Sequence, residues 1–321
     1  MDRERAQVED VPPLDLRKLR DLVLEKPSGP QRPAHVAAGS GVVRRGDYAY
    51  VIGDDELFIA VYCLSDPAPG RLERILGGEL PVDAKERGAA KPDLEALTAL
   101  PPFEDHPFGA LFGIGSGSGR DRDRGFVWPL DADGSLRGEP REFELTPLYD
   151  RLRDEIGGLN IEGCSVMGKS VWMLHRGNDG KTGNVVAELS LDDVMDSMRR
   201  DLRIDADELT RLCSYELGEL EGVPLTFSDA TPLTSELLVF TASAEGEDGA
   251  MHGSVVGTLG TDGGVHRLRT IDRRWKVEGV HASVDTGVLD LLFVCDQDDP
   301  ETPSPLLGGT MPLDEAFEPR E

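Results

Sequence analysis

The chain has 321 residues, an ordinary apolar content of 39%, few aromatics (6%) and a formal net charge of −27. That charge argues against nucleic acid and anionic membrane surfaces as partners, because like charges repel, and it fits a protein that is soluble or that handles cations. No stretch approaches 18 consecutive apolar residues, and the opening MDRER lacks the apolar core of a signal peptide, so the expectation is a cytoplasmic protein with no membrane span.

In chain order, residues 1–15 are polar and read as a flexible N-terminus. Segment 16–24 (LRKLRDLVL) suits a helix or a strand, and 27–33 is a proline-bearing linker. From Ser40 the chain alternates short runs of β-formers with turn chemistry: 40–43, a turn at 45–47, 48–52, a turn at 53–55, 57–64, and a fourth run near 71–76. That is the pattern of an antiparallel meander. The same pattern returns in register from Glu162, where Gly163 and Gly168 stand in the places of Gly41 and Gly46.

A short phrase marks each return: an apolar residue, a glutamate, a small residue. It occurs at Leu94-Glu95-Ala96, Ile161-Glu162-Gly163, Leu220-Glu221-Gly222 and Val277-Glu278-Gly279, with Gly39-Ser40-Gly41 as a serine variant. Steps of 55, 67, 59 and 57 residues separate the five polar positions. Similarity at a near-constant period is the mark of a repeat fold, and four strands per repeat of about sixty residues give a five-bladed β-propeller, all-β in class. The last repeat lacks a fourth strand, so segment 16–24 is expected to supply it and close the ring. Residues 16–315 then form one propeller domain, with a flexible tail at 316–321. Two inserts read as helical and are expected to pack outside the blades: 146–157, with threonine before a proline and Leu148, Tyr149, Leu152 and Ile156 at helical spacing, and 191–212, which is charged.

In a propeller the innermost strands line a channel, and each phrase opens an inner strand. Ser40, Glu95, Glu162, Glu221 and Glu278 are therefore expected to converge on one face. Like-charged carboxylates about 6 Å apart cost about 3 kcal/mol per pair at an effective dielectric of about 20, so either protons or a cation must join them. An all-oxygen ring of Glu and Ser suits calcium better than the strict octahedron of magnesium. The second strand of each repeat returns to that face and ends in polar clusters: Asp54 and Asp55; Ser116 and Arg120; His175, Arg176 and Asn178; Ser243, Glu245 and His252; Asp296 and Asp298. These are the expected substrate-binding residues of a polar funnel. His175 and Glu245 are the candidate proton carriers and Arg176 the anion holder. The four cysteines, Cys63, Cys164, Cys213 and Cys295, show no CxxC spacing and read as reduced thiols.

The phrase opening an inner strand, with HRGN or DQDDP closing the next, resembles a group of uncharacterised bacterial propeller proteins related to the phytase-like esterases and the strictosidine-synthase-like family. The pattern covers residues 35–310. Five blades with Ser and Glu at the axis are also similar to the calcium-activated nucleotidases (apyrases). That resemblance implies calcium ligands at Ser40, Glu95, Glu162, Glu221 and Glu278. The ring here has more glutamate than that family's and no match to its nucleotide-binding residues, so nucleotidase activity is not implied. The alanine- and arginine-rich, lysine-poor style resembles high-GC actinobacteria. Two functions follow as expectations: a monomeric, metal-dependent hydrolase of a phosphoester or ester acting on a small anionic molecule, or a non-catalytic propeller with a structural axial metal that binds a protein partner.

Overall fold

A computed structural model describes residues 6–177, 183–246 and 248–312. The strands, in chain order, are β1 Arg17–Asp21, β2 Gly41–Arg45, β3 Tyr48–Ile52, β4 Phe58–Cys63, β5 Arg71–Arg74, β6 Leu94–Leu100, β7 Ala110–Gly115, β8 Arg124–Pro129, β9 Arg141–Glu144, β10 Ile161–Met167 and β11 Ser170–His175. They continue with β12 Asn184–Ser190, β13 Leu209–Tyr215, β14 Glu219–Leu220, β15 Val223–Pro224, β16 Thr226–Pro232, β17 Leu237–Glu245, β18 Met251–Gly260, β19 Val265–Thr270, β20 Val277–Asp285, β21 Val288–Cys295 and β22 Pro305–Pro312. Five four-stranded antiparallel sheets result: β2 to β5, β6 to β9, β10 to β13, β16 to β19, and β20 to β22 completed by β1. This is a five-bladed propeller, as the repeats require.

Segment 16–24 does close the ring. β1 pairs antiparallel with β22, Arg17 opposite Gly308 and Asp21 opposite Pro305. Apolar side chains on facing blades fill the seams. Tyr50, Phe126 and Leu97 join in the first seam, and Phe112, Tyr149, Cys164 and Met173 in the second. Ridged sheet faces of this kind bury most of the large apolar residues, and the five inner strands β2, β6, β10, β16 and β20 adjoin one another around the axis.

Helix α1 spans Ala84–Ala90, α2 Thr146–Ile156 and α3 Leu191–Arg200. Proline at the first turn of α2 and the Ser190 side chain accepting from Asp193 N–H at the start of α3 set their N-termini. Leu148, Tyr149 and Leu152 of α2 and Val194 and Met198 of α3 are buried in the seam between the second and third blades rather than lying outside the blades. Helix α1 was not foreseen: it buries no residue, so it leaves no apolar period to read, and its start rests on Asp83 capping Lys85 and Glu86 N–H. The second half of the expected 191–212 helix is corrected. A single 3₁₀ turn at Ala206–Glu208 leads into β13, the outer strand of the third blade, because ladder bonds to β12 outweigh a weak helical preference there.

Candidate functional site at the propeller axis

Three of the five inner strands, β6, β10 and β20, carry a break in pairing at the expected polar residue. The register slips between Leu94 and Ala96, between Ile161 and Gly163, and between Val277 and Val280, leaving Glu95, Glu162 and Glu278 outside the ladder. A bulge of this kind turns a side chain out of the alternation and, here, toward the axis. In the first blade Ser40 sits just before the ladder, donating its N–H to Ile52 C=O at 3.0 Å. The glycine after the polar residue is needed for the inner strands to touch in the third and fifth blades. A Cβ on Gly279 would lie 2.7 Å from Val294 Cγ2 and 2.8 Å from Gly41 Cα, and one on Gly163 would lie 2.9 Å from Ala230 N.

In the fourth blade the bulge falls between Phe227 and Asp229, so the ring position is Ser228, not Glu221. Glu221 is corrected: it occupies the turn of the β14–β15 hairpin, where it and Gly222 have φ of 53° and 83°. Two consecutive left-handed residues make the two-residue hairpin turn that favours a right-handed twist, so the Glu-Gly pair there is turn chemistry. Its carboxylate is exposed and bonds Arg273 at 2.6 Å and His252 Nδ1 at 3.2 Å, contacts that hold it below the usual carboxylate range. His252 goes with it, away from the ring. Ser228 is buried and shares a 2.9 Å hydrogen bond with Ser243, itself buried.

The starts of inner strands and the ends of second strands are paired, as in Leu94 with Gly115, Ile161 with His175 and Thr226 with Ser243, so both sets of residues share one face. There a funnel of about 420 Å³ is lined by Lys91, Asp93, Glu95, Ser118, Arg122, Asn160, Glu162, His175 and Arg176 together with 158–159. Its floor has two sides.

On the side of the first two blades, Asp54, Asp93 and Glu95 offer oxygens that all lie within 4.8 Å of one another. The Lys91 ammonium pairs with Asp54 and, at 2.6 Å, with Asp93. Arg122 bonds Asp93 at 2.8 Å, and Ser116 and Ser118 also donate to it. Burial pushes Asp93 up, but these donors outweigh it and hold the carboxyl below its ordinary value. Burial would lower Lys91, yet Asp54 and Asp93 hold it above its ordinary value. Glu95 is raised well above the usual range by burial and by Glu162.

On the side of the third to fifth blades one guanidinium serves several carboxylates. Arg176 bonds Glu245 at 2.7 Å and lies 3.8 Å from Glu162. Burial would lower its pKa, but Glu162, Glu278 and Glu245 raise it. Burial lifts Glu162 to about 7 and Glu278 to about 8, with Arg176 opposing both shifts. Asn160 donates its side-chain amide to Glu162 at 2.5 Å and its backbone N–H to His175 Nδ1 at 3.0 Å. Lys276 bonds Asp296 at 2.9 Å and Asp298 at 2.7 Å, and lies 3.9 Å from Glu278.

Of the expected residues, Glu95, Glu162, His175 and Arg176 line the funnel, whereas Asp54, Asp55, Asp296 and Asp298 line a neighbouring pocket of about 560 Å³ that shares Lys91 with it. Asp55 is taken by Arg32 and Arg87, and Arg120 pairs with Asp150 out in solvent. Asn178 lies outside the described residues. The residues that sequence reasoning missed are Lys91, Asp93, Asn160, Ser228 and Lys276, and Arg122 joins the funnel from the run of arginines that holds the expected Arg120. Asp93, Asn160 and Lys276 each stand two positions before a ring glutamate, in the segment just ahead of the inner strand. A polar residue at that place in three repeats was the signal available.

Residues 35–311, most of the chain, match one protein family. The chain belongs to DUF6929, a family of unknown function. No curated protein matches it. Among solved structures, this DUF6929 chain is similar to the α-L-arabinofuranosidase PaAbf62A from Podospora anserina in complex with cellotriose. The identity is 11% and the TM-score 0.52, over 94% of this chain and 98% of that one. It is also similar to a putative exo-β-1,3-galactanase from Bifidobacterium bifidum s17, at 12% identity and TM-score 0.44 over 91% and 93% of the two chains. An α-L-arabinanase from Cellvibrio cellulosa follows at 15% and 0.46, over 84% and 90%. At these identities the likeness is one of fold. Among the described residues no helix is long and apolar enough to cross a membrane.

Proposed function

We propose that the funnel is the active site of a metal-dependent hydrolase acting on an ester or phosphoester of a small anionic molecule, with calcium as the metal. The observation that carries this is the three-carboxylate cluster. Two oxygens on opposite sides of a calcium ion stand at most about 5 Å apart, twice the usual Ca–O length. The oxygens of Asp54, Asp93 and Glu95 lie within 4.8 Å of one another, so they fit one such ion. All three donors are hard oxygens, and Glu95 keeps a raised affinity for a positive charge. A cation there supplies Lewis acidity toward a substrate oxygen. Lys91 must then yield its contact with Asp54 or Asp93. Arg122 and Arg176 line the wall and hold the anionic end of the substrate, Glu245 orients Arg176, and Glu162, poised near pH 7, gives or takes a proton.

The test has two parts. Calcium titrated into protein freed of metal by EDTA should release heat and raise the melting temperature, and Glu95→Gln should abolish both. A panel of phosphoesters, lactones, aryl esters and aryl arabinofuranosides, the last included because the Podospora enzyme is an arabinofuranosidase, should then show turnover that EDTA removes. Binding of calcium with no turnover across the panel sinks the catalytic reading.

The second reading is a non-catalytic propeller whose face binds a partner, with any axial metal structural. Lys91 and Arg176 favour it, since these two built-in cations already neutralise much of the ring. It expects Arg122→Ala to leave the melting temperature unchanged while weakening capture of a specific protein.

A further inference from the structure

The pocket beside the funnel, of about 560 Å³, falls within the range of about 300–1,000 Å³ usual for small-molecule sites. Its deep side is apolar. Leu24, Val51 and Ala60 are buried there, with Val36 and Leu72 beside them. Helix α1 borders the pocket through Ala84, Arg87 and Gly88 yet buries none of its own residues, so side chains of the protein leave this space unfilled.

The rim is acidic. Carboxylates come from two blades, on the 54–56 turn after β3 and on the 296–301 loop after β21. With Asp83 they number eight, against three permanent cations. Those cations are committed to the first blade: Arg32 and Arg87 to Asp55, Arg32 also to Glu56, and Lys91 to Asp54. Across the pocket Lys276 serves Asp296 and Asp298, and among the described residues Asp299 and Glu301 have no ion pair. Such a wall favours a cation. A bare metal ion does not suit it. Among the described residues the one acidic group compact enough for an ion is Asp54, Asp93 and Glu95, and no carboxylate of the 296–301 loop belongs to it. Negative charges spread around an apolar bed match a ligand that spreads its own positive charges along a hydrocarbon chain.

We infer that this pocket is a second ligand site, for a linear aliphatic polyamine. Its methylenes lie on the apolar bed and its ammonium groups pair with the rim, Asp299 and Glu301 foremost. This goes beyond the hydrolase reading and needs neither calcium nor turnover.

Spermidine titrated calorimetrically into the metal-free full chain at pH 7 tests it, in about 0.15 M salt, where attraction by surface charge is screened beyond about 8 Å. One spermidine should bind per chain. An added Cβ at Gly88 meets nothing within 4 Å, so Gly88→Arg sets a cation at the pocket without a clash and should weaken binding at least about 10-fold. Glu301→Gln should weaken it about 5-fold by removing a carboxylate that no cation of the protein holds. Gly88→Ala, which adds no charge, and Asp192→Asn, which makes the same one-unit change on α3, should stay within about twofold. The uncharged 1,6-hexanediol should not bind. No binding of spermidine, equal losses in Gly88→Arg and Asp192→Asn, an unchanged affinity in Glu301→Gln, or hexanediol bound as tightly as spermidine each overturns the inference. A failed calcium titration or an inactive substrate panel touches the hydrolase reading alone.

Discussion

The two sides of the funnel floor answer the same electrostatic problem differently. On the side of blades one and two, three carboxylates crowd within one ion's reach, and Lys91, a flexible point charge, covers only Asp54 and Asp93. On the side of blades three to five, Arg176 is planar, buried and locked to Glu245, and it faces Glu162 and Glu278 together. A guanidinium fixed by several acceptors is a permanent counter-ion, whereas an ammonium on a long stem can be displaced. The difference teaches that a ring of like residues need not be one site: one half is balanced by a buried guanidinium, and the other by a lysine and Arg122.

The largest effect should come from removing the permanent counter-ion. Arg176→Met removes the cation facing the buried Glu162 and Glu278, and urea unfolding at about pH 9, where both are ionised, should show a loss of about 3–5 kcal/mol that calcium does not restore. Restoration by calcium would mean that the two sides are equivalent. Next is the open side: calcium at a hundredfold excess over its Kd should add about 2.7 kcal/mol, or about 4 °C of melting temperature in a chain of this length, and Glu95→Gln should remove the gain.

Third is pH, measured in EDTA. Glu162 and Glu278 have folded pKa values near 7 and 8, above the ordinary 4.5. A carboxyl that holds its proton more tightly when folded contributes stability that is full below about pH 4.5. That stability declines as pH rises and is lost once pH has passed 7 and 8. Each contributes at most about 1.4 kcal/mol per pH unit within that window. Glu278→Gln should flatten the upper part of the slope, and a stability that rises from pH 5 to 8 would refute the assignment. The smallest effect belongs to Glu221→Gln. On an exposed hairpin turn it should change stability by less than about 0.5 kcal/mol and leave calcium binding untouched.

The architecture was readable because bulge, small residue and blade recur together. Glu95, Glu162 and Glu278 were each found from a three-residue phrase, and the closing strand followed from counting strands. The same phrase misled at Leu220-Glu221-Gly222, where a hairpin turn needs Glu-Gly for its left-handed backbone, while the true ring residue Ser228 sat seven positions on in Phe227-Ser228-Asp229. A three-letter pattern cannot separate those two demands. The division of the ring into halves was not readable either. It depends on where Lys91 and Arg176 reach, which is set by blade-to-blade distances that no spacing along the chain encodes. Likewise Asp93 acquires its meaning only from Asp54, which donates nothing in sequence but accepts Asp93 N–H at 2.9 Å across the blade boundary.

The pairing of β1 with β22 has a consequence for how the molecule is made. The first strand of the propeller has no partner until the last has been synthesised, so during translation an edge waits exposed while four blades assemble beside it. Contacts this distant in sequence slow folding and leave intermediates prone to associate through unpaired edges. Lys18 and Arg20 on β1 place charge along that waiting edge, and charged side chains are a known means of keeping such an edge from meeting another copy of itself.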